Sequence, residues 1–246
     1  MGESKMTPIL SARGIGYRRG DRWLFRNLDL ELFAGDFVAL VGPSGVGKST
    51  LLSCLCGQLT PHEGEVAIRL PGEGEERPGA LRKHLGIIYQ ELLLTPNADL
   101  LTNVLCGRLS RYNCFRTLFG FPKPLRSQAH RLLLDLGVGQ QPHKWVSHMS
   151  GGEKQRVAVA RALFQEPELY FADEPVSSLD AYYAGRVLGL LRQEADDRRK
   201  PVICVLHNAE HIHRFADLTI SLNPNDPQAH SSRRIRPPAA DTETPS

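Results

Sequence analysis

No stretch of the sequence approaches the roughly 20 consecutive apolar residues that a helix needs to cross a bilayer, and Met1 to Leu10 contains no apolar signal-peptide core. The expectation is a chain made and kept in the cytoplasm, with membrane contact supplied mainly by a partner. Cysteine is scarce and irregularly placed, at Cys54, Cys56, Cys106, Cys114 and Cys204. The number is odd, Cys54-x-Cys56 lacks the C-x-x-C spacing of redox and zinc motifs, and no second pair completes a site. Reduced, mostly buried thiols are expected. Charge of neither sign dominates: 30 Lys and Arg stand against 27 Asp and Glu, a formal +3. That balance argues neither for nor against a nucleic-acid partner. There is no internal repeat.

What is present reads as one α/β domain with an insertion, a size that single domains of 246 residues reach. Ile9 to Tyr17 reads as a strand. Leu28 to Leu32 alternates apolar and acidic residues, as a half-buried strand does. Asp36 to Val41 ends in a short, fully apolar run, and Lys48 to Cys56 suits a helix. Gly64 to Leu70 reads as a strand, Pro71 to Gly79 as an exposed hairpin tip, and Leu85 to Tyr89 as a strand. From about Leu92 to Phe164 the pattern is helical, notably over Arg131 to Leu136 and Val157 to Leu163. Leu169 to Ala172 and Val202 to Leu206 are apolar runs of the kind found in buried parallel strands, with a helical stretch between them over Tyr182 to Arg199. Strands alternating with helices imply a doubly wound core. From Asn223 to Ser246 large apolar residues almost vanish, and disorder is expected beyond about Leu222.

Two motifs carry chemistry. Gly42-Pro43-Ser44-Gly45-Val46-Gly47-Lys48-Ser49, followed by Thr50, matches the P-loop pattern, with an apolar strand before it and a helix after it. Its glycines let backbone N–H groups turn toward phosphates, and the helix start adds a favourable dipole. Lys48 is placed to reach the β- and γ-phosphates, and the Ser49 hydroxyl to ligate Mg²⁺. Leu169 to Glu174 is an apolar strand ending in two carboxylates. Asp173 would hold Mg²⁺ directly or through a water, and Glu174 would act as general base on the attacking water. Strand-end carboxylates often only cap a following helix; the P-loop in the same chain favours the catalytic role.

Further residues select a family. Ser150-Gly151-Gly152-Glu153-Lys154-Gln155-Arg156-Val157 resembles the signature motif of ABC ATPases. A helix, a turn at Pro167 and the strand ending at Asp173 follow in the order that family shows. Gln90 matches its Q-loop glutamine, Ser178-Leu179-Asp180 its D-loop, His207 its switch histidine, and Tyr17 its adenine-stacking aromatic. The resemblance covers roughly Ile9 to Leu222. It implies a RecA-like P-loop NTPase core with an antiparallel β subdomain and a helical subdomain inserted over about 92–164. It also implies binding and hydrolysis of ATP with Mg²⁺. The catalytic set is Lys48, Gln90, Glu174 and His207; Ser49, Gln90 and Asp173 ligate the metal. Nucleotide is bound by Tyr17, the P-loop through Thr50, Ser150 to Glu153 and Asp180. The resemblance further implies sites shared across a head-to-tail homodimer, a role that agrees with Ser150 and the following glycines opening a helix and so offering a hydroxyl and N–H groups to an anion. The plain alternatives are a core or surface aromatic at Tyr17, a polar loop residue at Gln90 and a core histidine at His207. His211 and His213 read better as an exposed helix face than as metal ligands.

The chain departs from the family pattern at Met149, where Leu is usual, and at Glu153, where Gln is usual; neither puts ATP hydrolysis in doubt. With only a polar, Pro-containing tail after Leu222, no regulatory C-terminal domain is expected. Leu101 to Arg111, Phe115 to Phe121 and Ala172 to Asp180 resemble the phosphonate importer ATPases. That resemblance implies integral membrane permease subunits, a separate substrate-binding protein acting indirectly, no nucleic acid, and a peripheral place on the cytoplasmic face of the inner membrane. Arg108, Arg111, Arg116, Lys123 and Arg126 read as a solvated basic face suited to anionic lipid headgroups. The alternative is a non-transport ABC ATPase coupled to a membrane protein, such as a cell-division type.

Overall fold

The computed structural model describes residues 7–70, 74–111 and 120–235. Cys114, Arg116, most of the run 115–121, residues 71–73 of the hairpin tip and residues 236–246 of the tail lie outside them. The chain divides into two compact units, one of the residues up to Arg82 together with those from Arg192 onward, the other Lys83–Leu191.

The first unit holds two sheets. β1 (Leu10–Arg19) and β2 (Arg22–Leu32) form a hairpin, and β4 (Glu63–Arg69) and the short β5 (Glu75–Glu76) extend it in the antiparallel order β2-β1-β4-β5. Leu28, Leu30 and Leu32 are buried while Asp29 and Glu31 face solvent, as the alternation requires. Trp23 on β2 lies between two guanidinium groups, 4.8 Å from that of Arg26 and 5.9 Å from that of Arg18. The second sheet is built on β3 (Phe37–Val41), flanked in parallel by β8 (Val202–Val205) and β9 (Leu218–Ser221). Phe37, Val38, Ala39 and Leu40 have no exposed surface, which is why this strand reads as an unbroken apolar run. Helices α1 (Lys48–Leu55) and α6 (Ala209–Phe215) follow β3 and β8.

The expected disorder beyond Leu222 does not hold for residues 223–235. Ser231–Arg234 forms β10, antiparallel to β9. Asn27 O lies 2.9 Å from His230 Nε2, and Pro227 O accepts from Arg26 N–H at 2.8 Å. Arg234 pairs with the buried Asp36 at 3.4 Å. Composition missed this segment because main-chain hydrogen bonds and one ion pair hold it, and an apolar face does not. All four β10 residues are exposed.

The second unit holds β6 (Leu85–Ile88) and β7 (Leu169–Ala172), parallel and in register from Leu85 opposite Leu169 to Ile88 opposite Ala172. Its helices are α2 (Leu100–Leu105), α3 (Lys123–Asp135), α4 (Gly151–Gln165) and α5 (Ala181–Asp196), the last turn of α5 belonging to the first unit. Residues 92–99 are not helical, so the helical stretch begins later than the sequence pattern suggests. Asp99 starts α2 by accepting from Thr102 N–H at 2.7 Å. Ser150 starts α4 through a capping box, its hydroxyl accepting from Glu153 N–H while the Glu153 carboxylate accepts from Ser150 N–H. α4 stops where Glu166 turns left-handed at φ 51° ahead of Pro167. Arg108 pairs with Glu166 at 2.5 Å and donates to Phe164 O, and Arg111 donates to Glu166 O at 2.6 Å. These cations sit where the helix leaves carbonyls unpaired. The basic face is corrected accordingly: Arg108 is buried, and both arginines close the end of α4.

Candidate functional site

In the first unit the chain leaves the C-terminal end of β3 directly into Gly42. The backbone then runs through Gly42, Gly45 and Gly47 at φ 143°, 77° and 116°, values that L side chains rarely adopt. Gly47 forms the left-handed start of α1, and a Cβ there would lie 3.0 Å from Leu24 Cβ. Lys48 opens α1 with its side chain drawn back over the loop, its Nζ donating to Gly42 O at 2.9 Å and Pro43 O at 3.0 Å. Only 6% of Lys48 is exposed, so the loop concentrates one cation on its own concave side. β8 ends beside β3, with Leu206 N–H donating to Leu40 O at 3.2 Å, so exposed His207 leaves the same sheet edge as Gly42. Tyr17 is half-buried, its ring 6.4 Å from Phe25 and 4.6 Å edge-on from His62. Phe25 lies against Gly47 as well, so the P-loop and Tyr17 share one neighbour.

The second unit gathers a different set. The β6–β7 register continues one residue further, Asp173 N–H donating to Ile88 O at 2.9 Å. Tyr89-Gln90 and Asp173-Glu174 therefore emerge together from the C-terminal ends of adjacent parallel strands, where open α/β sheets bind ligands. Glu174 is left-handed at φ 51°. That conformation costs a non-glycine residue roughly 1 kcal/mol, and surrounding contacts must hold it. Leu92 and Leu93, just after Gln90, share it at φ 59° and 44°. Asp180 caps α5, accepting from Tyr183 N–H at 2.9 Å. Gly152 lies where a Cβ would be 2.9 Å from Ser178 O, so the start of α4 presses on the 178–180 turn.

Electrostatics favours an ionised Glu153: the Ser150 N–H bond first and the Lys144 ammonium second hold its carboxyl below the usual range, against partial burial. Burial pushes the Cys54 thiol up to about 12, which leaves it a reduced, inert core residue. Cys56 and Cys204 are also buried and Cys106 is partly so, as expected of the thiols that are described.

Two polar residues of α4 have no role in the sequence reading yet hold these turns. Gln155 bonds to Glu174 and Ser178, and Arg161 donates to Leu92 O at 2.7 Å and Leu93 O at 2.6 Å. The available signal was a polar side chain inside an apolar helical stripe: Gln155 is buried, and Arg161 interrupts Val159, Ala160, Ala162 and Leu163.

The family model described as ABC transporter matches residues 25–177. The chain belongs to the ABC transporter family. Among curated proteins, the Phosphonates import ATP-binding protein PhnC of Anaeromyxobacter dehalogenans is 39% identical over 87% of this chain and 44% of its own length. This ABC chain thus spans less than half of that relative. The protein of the same name in Trichormus variabilis is 36% identical over 82% of this chain and 83% of its own. The Phosphite import ATP-binding protein PxtA of Stutzerimonas stutzeri is 40% identical over 80% of this chain and 72% of its own. Among solved structures, a dimeric bacterial ABC transporter cassette aligns with a TM-score of 0.79 at 25% identity, over 93% of this chain and 99% of that one. The fold is that of the P-loop cassette: parallel and antiparallel sheets with helices. No helix among the described residues is long and apolar enough to cross a membrane.

Proposed function

We propose that this ABC chain is the ATP-hydrolysing subunit of an importer for a phosphonate or a related phosphorus oxyanion, working as a head-to-tail homodimer with membrane permease subunits. The observation that carries the ATPase reading is a buried lysine wrapped by a glycine loop in a chain that also ends a parallel strand in Asp173-Glu174. The names of the relatives support the substrate class. A loop of this shape gives backbone N–H groups and Lys48 for the β- and γ-phosphates, and Tyr17 supplies an aromatic face for adenine. Ser150 to Glu153 and Asp180 would meet the nucleotide bound by the second copy.

Hydrolysis needs a water deprotonated as it attacks the γ-phosphorus. Glu174 takes that proton, and His207 and Gln90 orient the water. Lys48 offsets negative charge as the bond to the leaving ADP lengthens. The oxygens of Ser49, Gln90 and Asp173 are hard donors that suit Mg²⁺, which would neutralise phosphate charge when bound.

Two substitutions test this reading. Glu174→Gln is expected to bind ATP normally, lose at least about a hundredfold in turnover, and accumulate closed dimer in size-exclusion chromatography with ATP. Normal turnover in that variant overturns the general-base assignment. Lys48→Ala is expected to lose most ATP affinity or turnover; unchanged values for both would sink the P-loop reading. The importer reading is tested by copurification with a permease, and by ATPase stimulation when a binding protein carries a phosphonate or phosphite.

A further inference from the structure

α4 carries at Gln155 a buried amide, 4% exposed, that the hydrolysis chemistry above leaves unused. Both ends of that amide are committed. Its Nε2 donates to the Glu174 carbonyl at 2.7 Å, and its Oε1 accepts from Ser178 N–H at 2.9 Å. The Glu174 carbonyl also accepts from Ser177 N–H at 3.3 Å and Ser177 Oγ at 3.2 Å. Three donors therefore converge on the carbonyl of a left-handed residue. A buried amide whose two ends are both satisfied is a rigid spacer, because releasing either end leaves an unpaired polar group. The spacing it sets is between Glu174 and the 178–180 turn.

The same helix opens at Ser150, five positions or about 7.5 Å earlier along its axis. Its capping box ties the helix start together. Gly152 presses on Ser178 O from the same side. A displacement of the Ser150–Gly152 turn is carried along α4 to Gln155, and from there to both Glu174 and Ser178.

We infer that Gln155 is a positioning residue: it fixes the strained backbone of Glu174, and so the aim of that carboxylate, from the signature helix. The inference rests on Glu174 being the general base. It makes the base answer to whatever engages Ser150, because the helix that offers Ser150 is the helix that holds Glu174.

The test compares Gln155→Met and Gln155→Glu in the full chain. Methionine keeps length and volume and loses both hydrogen bonds. Glutamate keeps an acceptor for Ser178 N–H and loses the donor to Glu174 O. Both are expected to lower kcat roughly ten- to a hundredfold, as a small misplacement of a reacting group does, with KM and affinity for a fluorescent ATP analogue within about twofold of wild type. Melting temperature and circular dichroism are recorded for each, and a variant that fails to fold passes the reading to the other. Wild-type kcat in a folded variant, with Glu174→Gln inactive, overturns the positioning role and leaves the general base intact. ATP affinity falling in step with kcat shows a structural role only and likewise overturns it. Undiminished turnover in Glu174→Gln overturns both.

Discussion

A carboxylate stands at position 153 where the family usually has an amide, and its surroundings explain the tolerance. Its Oε2 accepts from Ser150 N–H at 2.8 Å and its Oε1 from Lys144 at 3.0 Å. An amide oxygen could make the first bond as well; only a carboxylate gains from the lysine. Because these partners lower the Glu153 pKa in the folded state, its contribution is present above the unfolded value. It is lost as pH falls through the folded one. Wild type is expected to lose more melting temperature than Glu153→Gln between about pH 5 and pH 3, the range that runs downward from an ordinary glutamate pKa. Parallel loss in the two chains would contradict this. At this scale the sequence was legible where a residue type has one chemistry, as at Lys48, Asp173 and Glu174. Gln155 and Arg161 were not, because their roles lie in which carbonyl each reaches. That is set by backbone turns, the left-handed ones at Leu92, Leu93 and Glu174, that no composition or period encodes.

Among the elements, α4 carries more connections than its length suggests. Along 15 residues it holds its own start through Ser150 and Glu153, the turn after β7 through Gln155, the turn after β6 through Arg161, and its own end through Arg108 and Glu166. The clamp by Arg161 sets the price of the turn beyond Gln90: two consecutive leucines in a left-handed conformation persist because one guanidinium binds both carbonyls. Arg161→Met is expected to destabilise the chain by about 2 kcal/mol in urea unfolding, the scale of lost hydrogen bonds to a charged, half-buried group. It should also speed hydrogen exchange at the 90–93 turn more than elsewhere. Uniform exchange across the second unit would show that Arg161 does no more than fill space. The pattern in the sequence predicted β1, β3, β4, β6, β7 and β8 near their observed limits, caught only the last five residues of β2, and named none of β5, β9 and β10; buried parallel strands such as β3, β7 and β8 leave plain apolar runs. It placed the helical start too early, at Leu92, because the run Leu92-Leu93-Leu94 has high helix propensity.

For the whole molecule, the fold class followed from alternating strands and helices. The chain end did not. Residues 223–235 are polar, yet Pro227 O, His230, Arg234 and Ile235 N–H tie them to β2, to the start of β3 and to Asp217 in the first unit. Ending the chain after Leu222 is expected to lower the melting temperature by roughly 5 °C, at about 2–4 °C per kcal/mol for a chain of this size. An unchanged melting temperature would make the β10 hairpin an ornament. The sequence holds 2 tryptophans, and the division of the chain gives one to each unit. Trp23 lies between two arginines on β2, while Trp145, 51% exposed, precedes α4. The protein thus carries its own pair of optical reporters. Replacing either indole with phenylalanine leaves a chain whose tryptophan emission, excited beyond the absorption of its tyrosines, speaks for one unit alone, with no label attached.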